Sequence, residues 1–139
     1  MLQSSRVIQI EWGDCDPAGI VWYPRYFGMF DACTAGLFHK ATGLRKSQLI
    51  AKYDFVGFPM VDTQAKFMIP SAFGDEIRID TTITELGRSS FDILHKVMKG
   101  DQLAIEATEK RVWVGKHPDD PARIKSKPIP DEVVAALRG

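Results

Sequence analysis

Three side chains able to do chemistry, Asp14, Cys15 and Asp16, stand together in the segment Gly13-Asp14-Cys15-Asp16-Pro17-Ala18-Gly19, with Pro24 a few residues on. The Gly, Pro and Asp content marks a loop, and Pro24 suits the first turn of a helix, where a missing N–H costs nothing. A helix N-terminus carries about half a positive charge and presents unpartnered N–H groups, so it stabilises an anion placed beside it. The N–H groups around Val21, Trp22 and Tyr23 are therefore candidates for an oxyanion site. Asp16 is then a candidate to attack a carbonyl, or to take a proton from an attacking water. It also has an ordinary reading, as a cap that accepts a bond from one orphan N–H of the helix. Spacing alone leaves both open.

The other reactive residues make weaker patterns. Cys15 as a nucleophile needs a basic partner to lower its pKa. His39, His95 and His117 are scattered, and none pairs with it from sequence, so Cys15 reads as a small loop residue. His39 and His95 read as structural histidines. The chain holds no Gly-x-Ser-x-Gly elbow and no Cys/His spacing suited to zinc. Asp-x-Asp after a strand also occurs in magnesium-dependent phosphatases, but that chemistry wants a buried parallel strand in a doubly wound sheet.

The elements that must position the loop follow from periodicity. Ile8, Ile10 and Trp12 alternate with Gln9 and Glu11, which predicts a half-buried strand running into the loop. Pro24 then opens a helix that Gly43 closes after Thr42. Its apolar residues Tyr26, Phe27, Met29, Phe30, Cys33, Leu37, Phe38 and Ala41 cover most of the circumference, so other structure must enclose it. Gly28 and Gly36 would each cost roughly 1 kcal/mol there, which predicts a sheet passing close to the helix backbone.

A short polar helix or loop is expected over 45–53, then strands near Met60–Phe67, through Ile77, Ile79, Thr81 and Ile83, and through Phe91, Ile93, His95 and Val97. A hairpin at 99–102 leads into a strand over 103–114. A loop holding Pro118, Pro121, Pro128 and Pro130 precedes a terminal helix over 131–137. Strand, enclosed helix, then a run of antiparallel strands is an α+β order. A sheet of about five strands twists enough to curl around one helix, the hot-dog arrangement, with residues 1–139 as one domain. Its free edge makes pairing with a second copy natural.

Composition narrows the function classes. With 139 residues, 45% hydrophobic and 26% charged, the chain is globular in character. Its 18 basic and 18 acidic residues balance to zero, so no overall field draws in nucleic acid or an anionic membrane. No apolar run suits a membrane span or a secretory signal, so the cytoplasm is the expected compartment, with Cys15 and Cys33 as reduced thiols.

The loop also resembles the 4-hydroxybenzoyl-CoA thioesterase family of hot-dog enzymes. The resemblance rests on Glu11-Trp12-Gly13-Asp14-Cys15-Asp16-Pro17-Ala18-Gly19-Ile20-Val21-Trp22-Tyr23-Pro24 with Tyr26 after it. It extends more weakly through Val56-Gly57-Phe58-Pro59, Glu85-Leu86-Gly87-Arg88-Ser89-Ser90-Phe91 and Arg111-Val112. It implies hydrolysis of an aryl-CoA thioester, with Asp16 as nucleophile or general base and the Tyr23 N–H as oxyanion donor. It also implies Asp31 in the aryl pocket near a ring hydroxyl, although a polar helix position at an interface is the ordinary reading of that residue; Trp22 reads as core or pocket wall and is a candidate substrate contact. Arg88, Ser90 and Lys125 fall on the CoA side, although the family's basic run is interrupted here by Gly87 and Ser89.

The family needs no metal or organic cofactor. It builds its site across a dimer and commonly pairs dimers into tetramers. Tyr23 stands where thioesterases of the Tol-Pal-associated branch carry a His, which points to aryl rather than aliphatic esters. A short-chain or branched aliphatic acyl-CoA, an acyl carrier protein ester, or non-catalytic acyl-CoA binding remain as the rival expectations.

Overall fold

Alternation along the strands places one parity of side chains against the long helix, and the computed structural model, which describes residues 1–139, is built around that contact. The elements are β1 (Gln3–Gln9), α1 (Pro24–Thr42), α2 (Lys46–Tyr53), β2 (Met60–Phe67), β3 (Glu76–Leu86), β4 (Ser90–Lys99), β5 (Gln102–Val112), β6 (Val114–Lys116), β7 (Ile124–Ser126) and α3 (Asp131–Arg138). Strands β1 to β5 form one sheet in the order β1-β3-β4-β5-β2, every neighbour antiparallel. Strand β2 is therefore an edge strand although it precedes β3 in the chain. The α+β hot-dog order expected from sequence is the one observed.

Helix α1 runs from Pro24 to a left-handed Gly43 (φ 73°), whose N–H donates to His39 O at 2.7 Å. A residue with a side chain rarely adopts that φ, so the chain stops the helix where Gly allows it. Its inward residues join two apolar clusters. Phe30 and Cys33 pack with Ile77, Ile79, Val97, Ile105 and Ala107, whereas Leu37 and Phe38 pack with Phe58, Ile83, Phe91, Trp113 and Val133. Between the clusters lies a buried polar layer of Thr34, Thr81, His95, Glu109 and Arg111.

Several details depart from the local pattern. Trp12 is not a strand residue: β1 ends at Gln9, and Trp12 opens a 3-10 turn (Trp12–Asp14) where it is 77% exposed, edge-on to Phe73. The pairing of β1 with β3 ends at Gln9↔Glu76, and beyond it the Ile10 N–H turns to Asp75 O. Gly28 and Gly36 do not mark a close sheet approach. A Cβ at either would meet nothing within 4 Å, because both lie on the exposed side of α1. The proline-rich loop contains β7, which pairs with β6, and the expected strand over 103–114 breaks at Trp113 into β5 and β6. No helix is long and apolar enough to cross a membrane.

Candidate active site

The loop ahead of α1 is closed by its own backbone. Cys15 and Val21 form an antiparallel bridge, the Asp16 N–H donates to Ile20 O at 3.0 Å, and the Gly19 N–H donates back to Asp16 O at 2.9 Å. Gly19 turns the loop with φ 83°. The Asp16 carboxylate, half-buried, accepts a bond from the Ala18 N–H at 2.9 Å and none from the helix. Tyr23 precedes the first helical residue and makes no side-chain cap. The capping reading of Asp16 is therefore not the one the geometry takes. Asp14 does the local work instead: Oδ2 accepts from the Glu11 N–H at 2.9 Å, and its carbonyl accepts from the Trp22 N–H at 2.8 Å.

That bond corrects part of the expected oxyanion site. The Val21 N–H is taken by Ser71 O and the Trp22 N–H by Asp14 O, each at 2.8 Å, so neither is free. Pro24 has none to give, and the N–H groups of Arg25 and Tyr26 bond back to Trp22 O and Tyr23 O. Only the Tyr23 N–H, at the positive end of α1, lacks an acceptor in this stretch. Beside it opens a cavity of about 200 Å³, lined by Ile20, Tyr23, Tyr26, Phe67, Ile69 and Ser71 among others. Burial pushes the Tyr26 phenol up. Ser71 Oγ, buried on this wall, has no hydrogen-bond partner. Sequence reading had no signal for Ser71, which enters only through the contact of its segment with Val21.

A second cavity, of about 550 Å³, lies further along α1 between Phe27, Asp31, Val56, Phe58, Met60 and Arg111. Asp31 is on its wall, 55% exposed, and its Oδ1 accepts from Arg111 Nη2 at 2.9 Å. Arg111 also donates through Nε to Glu109 Oε1 at 2.9 Å and through Nη1 to Phe58 O at 3.2 Å. Thr34 Oγ1 donates to the same Glu109 oxygen at 2.8 Å. His95 Nδ1 meets Thr81 Oγ1 at 2.9 Å, and Nε2 stands 3.1 Å from Glu109 Oε2, though too poorly aligned for a hydrogen bond. Burial pushes the Glu109 carboxyl up, but His95 and Arg111 beside it outweigh this and hold it below its usual range.

His95 is a satisfied structural histidine, as expected, and it stacks on Phe30 at 4.7 Å. The charged pair behind it was missed. Glu109 and Arg111 share the inward parity of Ile105 and Ala107, and that parity was the available signal.

The remaining residues divide between two regions. Trp22 lines a separate groove with Arg6, Pro24 and Gly28 on the β1 side of α1. The turn holding Arg88 and Ser90 joins the segment holding Lys125 through backbone bonds: Ile129 N–H to Arg88 O, Trp113 N–H to Ser89 O, and Lys127 N–H to Trp113 O. Phe91, next to Ser90, packs on Phe38 near the end of α1, whereas Phe67 packs on Tyr23 at its start. Within one chain the Arg88 turn and Asp16 thus lie near opposite ends of a 19-residue helix, about 28 Å long at 1.5 Å per residue.

Residues 10–137 match the family described as the thioesterase-like superfamily. The chain belongs to this superfamily. It is 35% identical to a 4-hydroxybenzoyl-CoA thioesterase of Pseudomonas sp. (strain CBS-3) over 131 residues, 91% of each chain. Among solved structures it is similar to a 4-hydroxybenzoyl-CoA thioesterase in which an Asp is replaced by Asn, complexed with 4-hydroxybenzoyl-CoA. That match has a TM-score of 0.88 and 31% identity, over 97% of this chain and 98% of the other. It is also similar to a gentisyl-coenzyme A thioesterase, with TM-score 0.82 and 32% identity over 98% and 100% of the two chains. The superfamily's thioester chemistry fits a carboxylate loop ahead of one free helical N–H.

Proposed function

We propose that this protein hydrolyses hydroxyaryl-CoA thioesters to the free acid and CoA. The observation that carries the reading is the single free N–H of Tyr23 at the start of α1, in a loop whose carboxylate, Asp16, is not consumed as a helix cap. The thioester oxygen sits on the Tyr23 N–H, where the helix dipole stabilises its developing charge. Asp16 either adds to the carbonyl carbon as CoA leaves as thiolate, with water then opening the mixed anhydride, or removes a proton from the water that attacks. Both routes use this chain's side chains with no metal and no organic cofactor.

The site is completed by a second copy. Eight residues separate Tyr23 from Asp31, about 12 Å along the helix, further than one aromatic ring spans. Strand β2 has one free edge, and Val61, Phe67 and Met68 are exposed on and just after it. Antiparallel pairing of β2 with its copy sets the Phe67 end of one beside the Met60 end of the other. Asp16 and Tyr23 of one subunit then face Asp31 of the partner subunit, with Arg88, Ser90 and Lys125 toward the CoA, while Trp22 stays in its separate groove on the β1 side of α1. The same unit, residues 1–139 folded as one domain, further pairs into a dimer of dimers. A cytoplasmic setting suits the two free thiols, Cys15 and Cys33.

A short aliphatic acyl group is the second reading, favoured by the cavity at Tyr23, whose lining carries no charged residue. Turnover of 4-hydroxybenzoyl-CoA, benzoyl-CoA and a C2–C8 acyl-CoA series by wild type and Asp16→Asn tests both readings. The expected result is preference for the hydroxyaryl ester, and a loss in kcat of at least about a hundredfold in the variant with binding retained. Full activity in Asp16→Asn would exclude the mechanism, and a strong aliphatic preference would exclude the aryl substrate.

A further inference from the structure

The buried polar layer ends at the acyl pocket, and Arg111 is the joint. Its guanidinium is 4% exposed and held on three sides, by Glu109 Oε1, Phe58 O and Asp31 Oδ1. It also lies 5.6 Å from the centre of the Phe58 ring. Glu109 is fixed in turn by Thr34 and crowded by His95. Asp31 has no other polar partner in the chain, and it projects from a helix into an open cavity. A free aspartate there would sample its rotamers, whereas this one is tied to a guanidinium that cannot move.

We propose that Arg111 is a positioning residue for substrate selection. It holds Asp31 in one orientation, so that its free oxygen accepts a hydrogen bond from a hydroxyl on the acyl group. Glu109 and the Phe58 carbonyl hold Arg111. This rests on the hydroxyaryl reading above and adds what sets the acceptor in place. A lysine would not replace the arginine, because one ammonium cannot meet Glu109, the Phe58 carbonyl and Asp31 in the same planar fork. An acyl group lacking the hydroxyl leaves the Asp31 oxygen unpaired against the ring, which penalises it.

The test is the ratio of kcat/KM for 4-hydroxybenzoyl-CoA to that for benzoyl-CoA, measured in wild type, Asp31→Ala, Arg111→Lys, Arg111→Met and the Asp31→Ala/Arg111→Met double variant. Wild type should favour the hydroxyl by roughly 10- to 100-fold, the worth of one hydrogen bond to a charged group. Each single variant should bring the ratio close to one, and the double variant should lower it no further.

Arg111→Met strands the Glu109 charge and is destabilising. Glu109→Gln/Arg111→Met, which removes both charges, serves in its place if the single variant does not fold, and should give the same ratio. Retention of the wild-type ratio in either Arg111→Met background overturns the proposal. So does a ratio near one in wild type, with the thioesterase reading left standing. Absence of any turnover of both esters by wild type sinks the aryl reading and this inference together.

Discussion

Asp16 and Glu109 are both carboxylates beside α1, and their surroundings assign them different tasks. Asp16 is half-buried in a loop that its own backbone closes, with one N–H bond from Ala18. Glu109 is buried among Thr34, His95 and Arg111, and its pKa is held below the ordinary value of 4.5. A carboxyl whose folded pKa is depressed contributes stability that is present above its unfolded pKa and lost as pH falls through the folded value. Glu109→Gln should therefore cost about 3 kcal/mol at neutral pH, the scale of breaking a buried charge pair. The gap in Tm between variant and wild type should narrow as pH drops below 4.5 and Glu109 takes up its proton. Thermal melts from pH 7 to pH 3 check this, and a gap that stays constant would mean that the charge state of Glu109 does not set its contribution to stability.

Helix α1 links the two cavities, and its exposed face carries Gly28, Ala32 and Gly36. In a helix interior Gly is worse than Ala by about 0.5–1 kcal/mol, chiefly through backbone entropy. At Gly36 an added Cβ meets nothing within 4 Å, so no packing cost offsets that gain. Gly36→Ala should raise Tm by roughly 2–4 °C, measured by scanning calorimetry. A fall in Tm would mean that another copy packs against this face. The opposite case is Gly87, in the turn between β3 and β4, where a Cβ would lie 2.8 Å from Ser90 Oγ. Glycine there leaves the Ser90 hydroxyl its place in the turn.

At the scale of the molecule, the exposed apolar side chains gather near the start of α1 and along β2: Ile20, Trp22, Tyr23, Val61, Phe67 and Met68. Scattered apolar residues mean little, but a concentration beside an open strand edge marks an interface. A dimer of the 15.6 kDa chain has twice that mass, about 31 kDa. Val61→Lys places a charge on the free edge, a common device against edge pairing. The variant is expected to shift from dimer toward monomer by light scattering and to lose turnover in proportion, while its far-UV spectrum is unchanged. Full activity as a monomer would end the shared-site reading.

Local chemistry in the chain was enough to determine much of this protein. Period-two runs marked β3 and β4, Pro24 and Gly43 bounded α1, and the Gly-Asp-Cys-Asp-Pro loop marked Asp16 and the N–H groups of Val21, Trp22 and Tyr23 as candidates, from which the family resemblance singled out Asp16 and Tyr23. These signals are carried by neighbours in sequence, which is why they are legible there. Only the tertiary structure decided which N–H groups are free, because the acceptor of Val21 is Ser71, a residue far along the chain. It also turned Trp12 out of its strand, hid β7 in a proline-rich loop, and joined Asp31 to Arg111 across 80 residues. Hydrogen-bond partners and buried charge pairs depend on which distant segments meet, and no local period encodes that meeting.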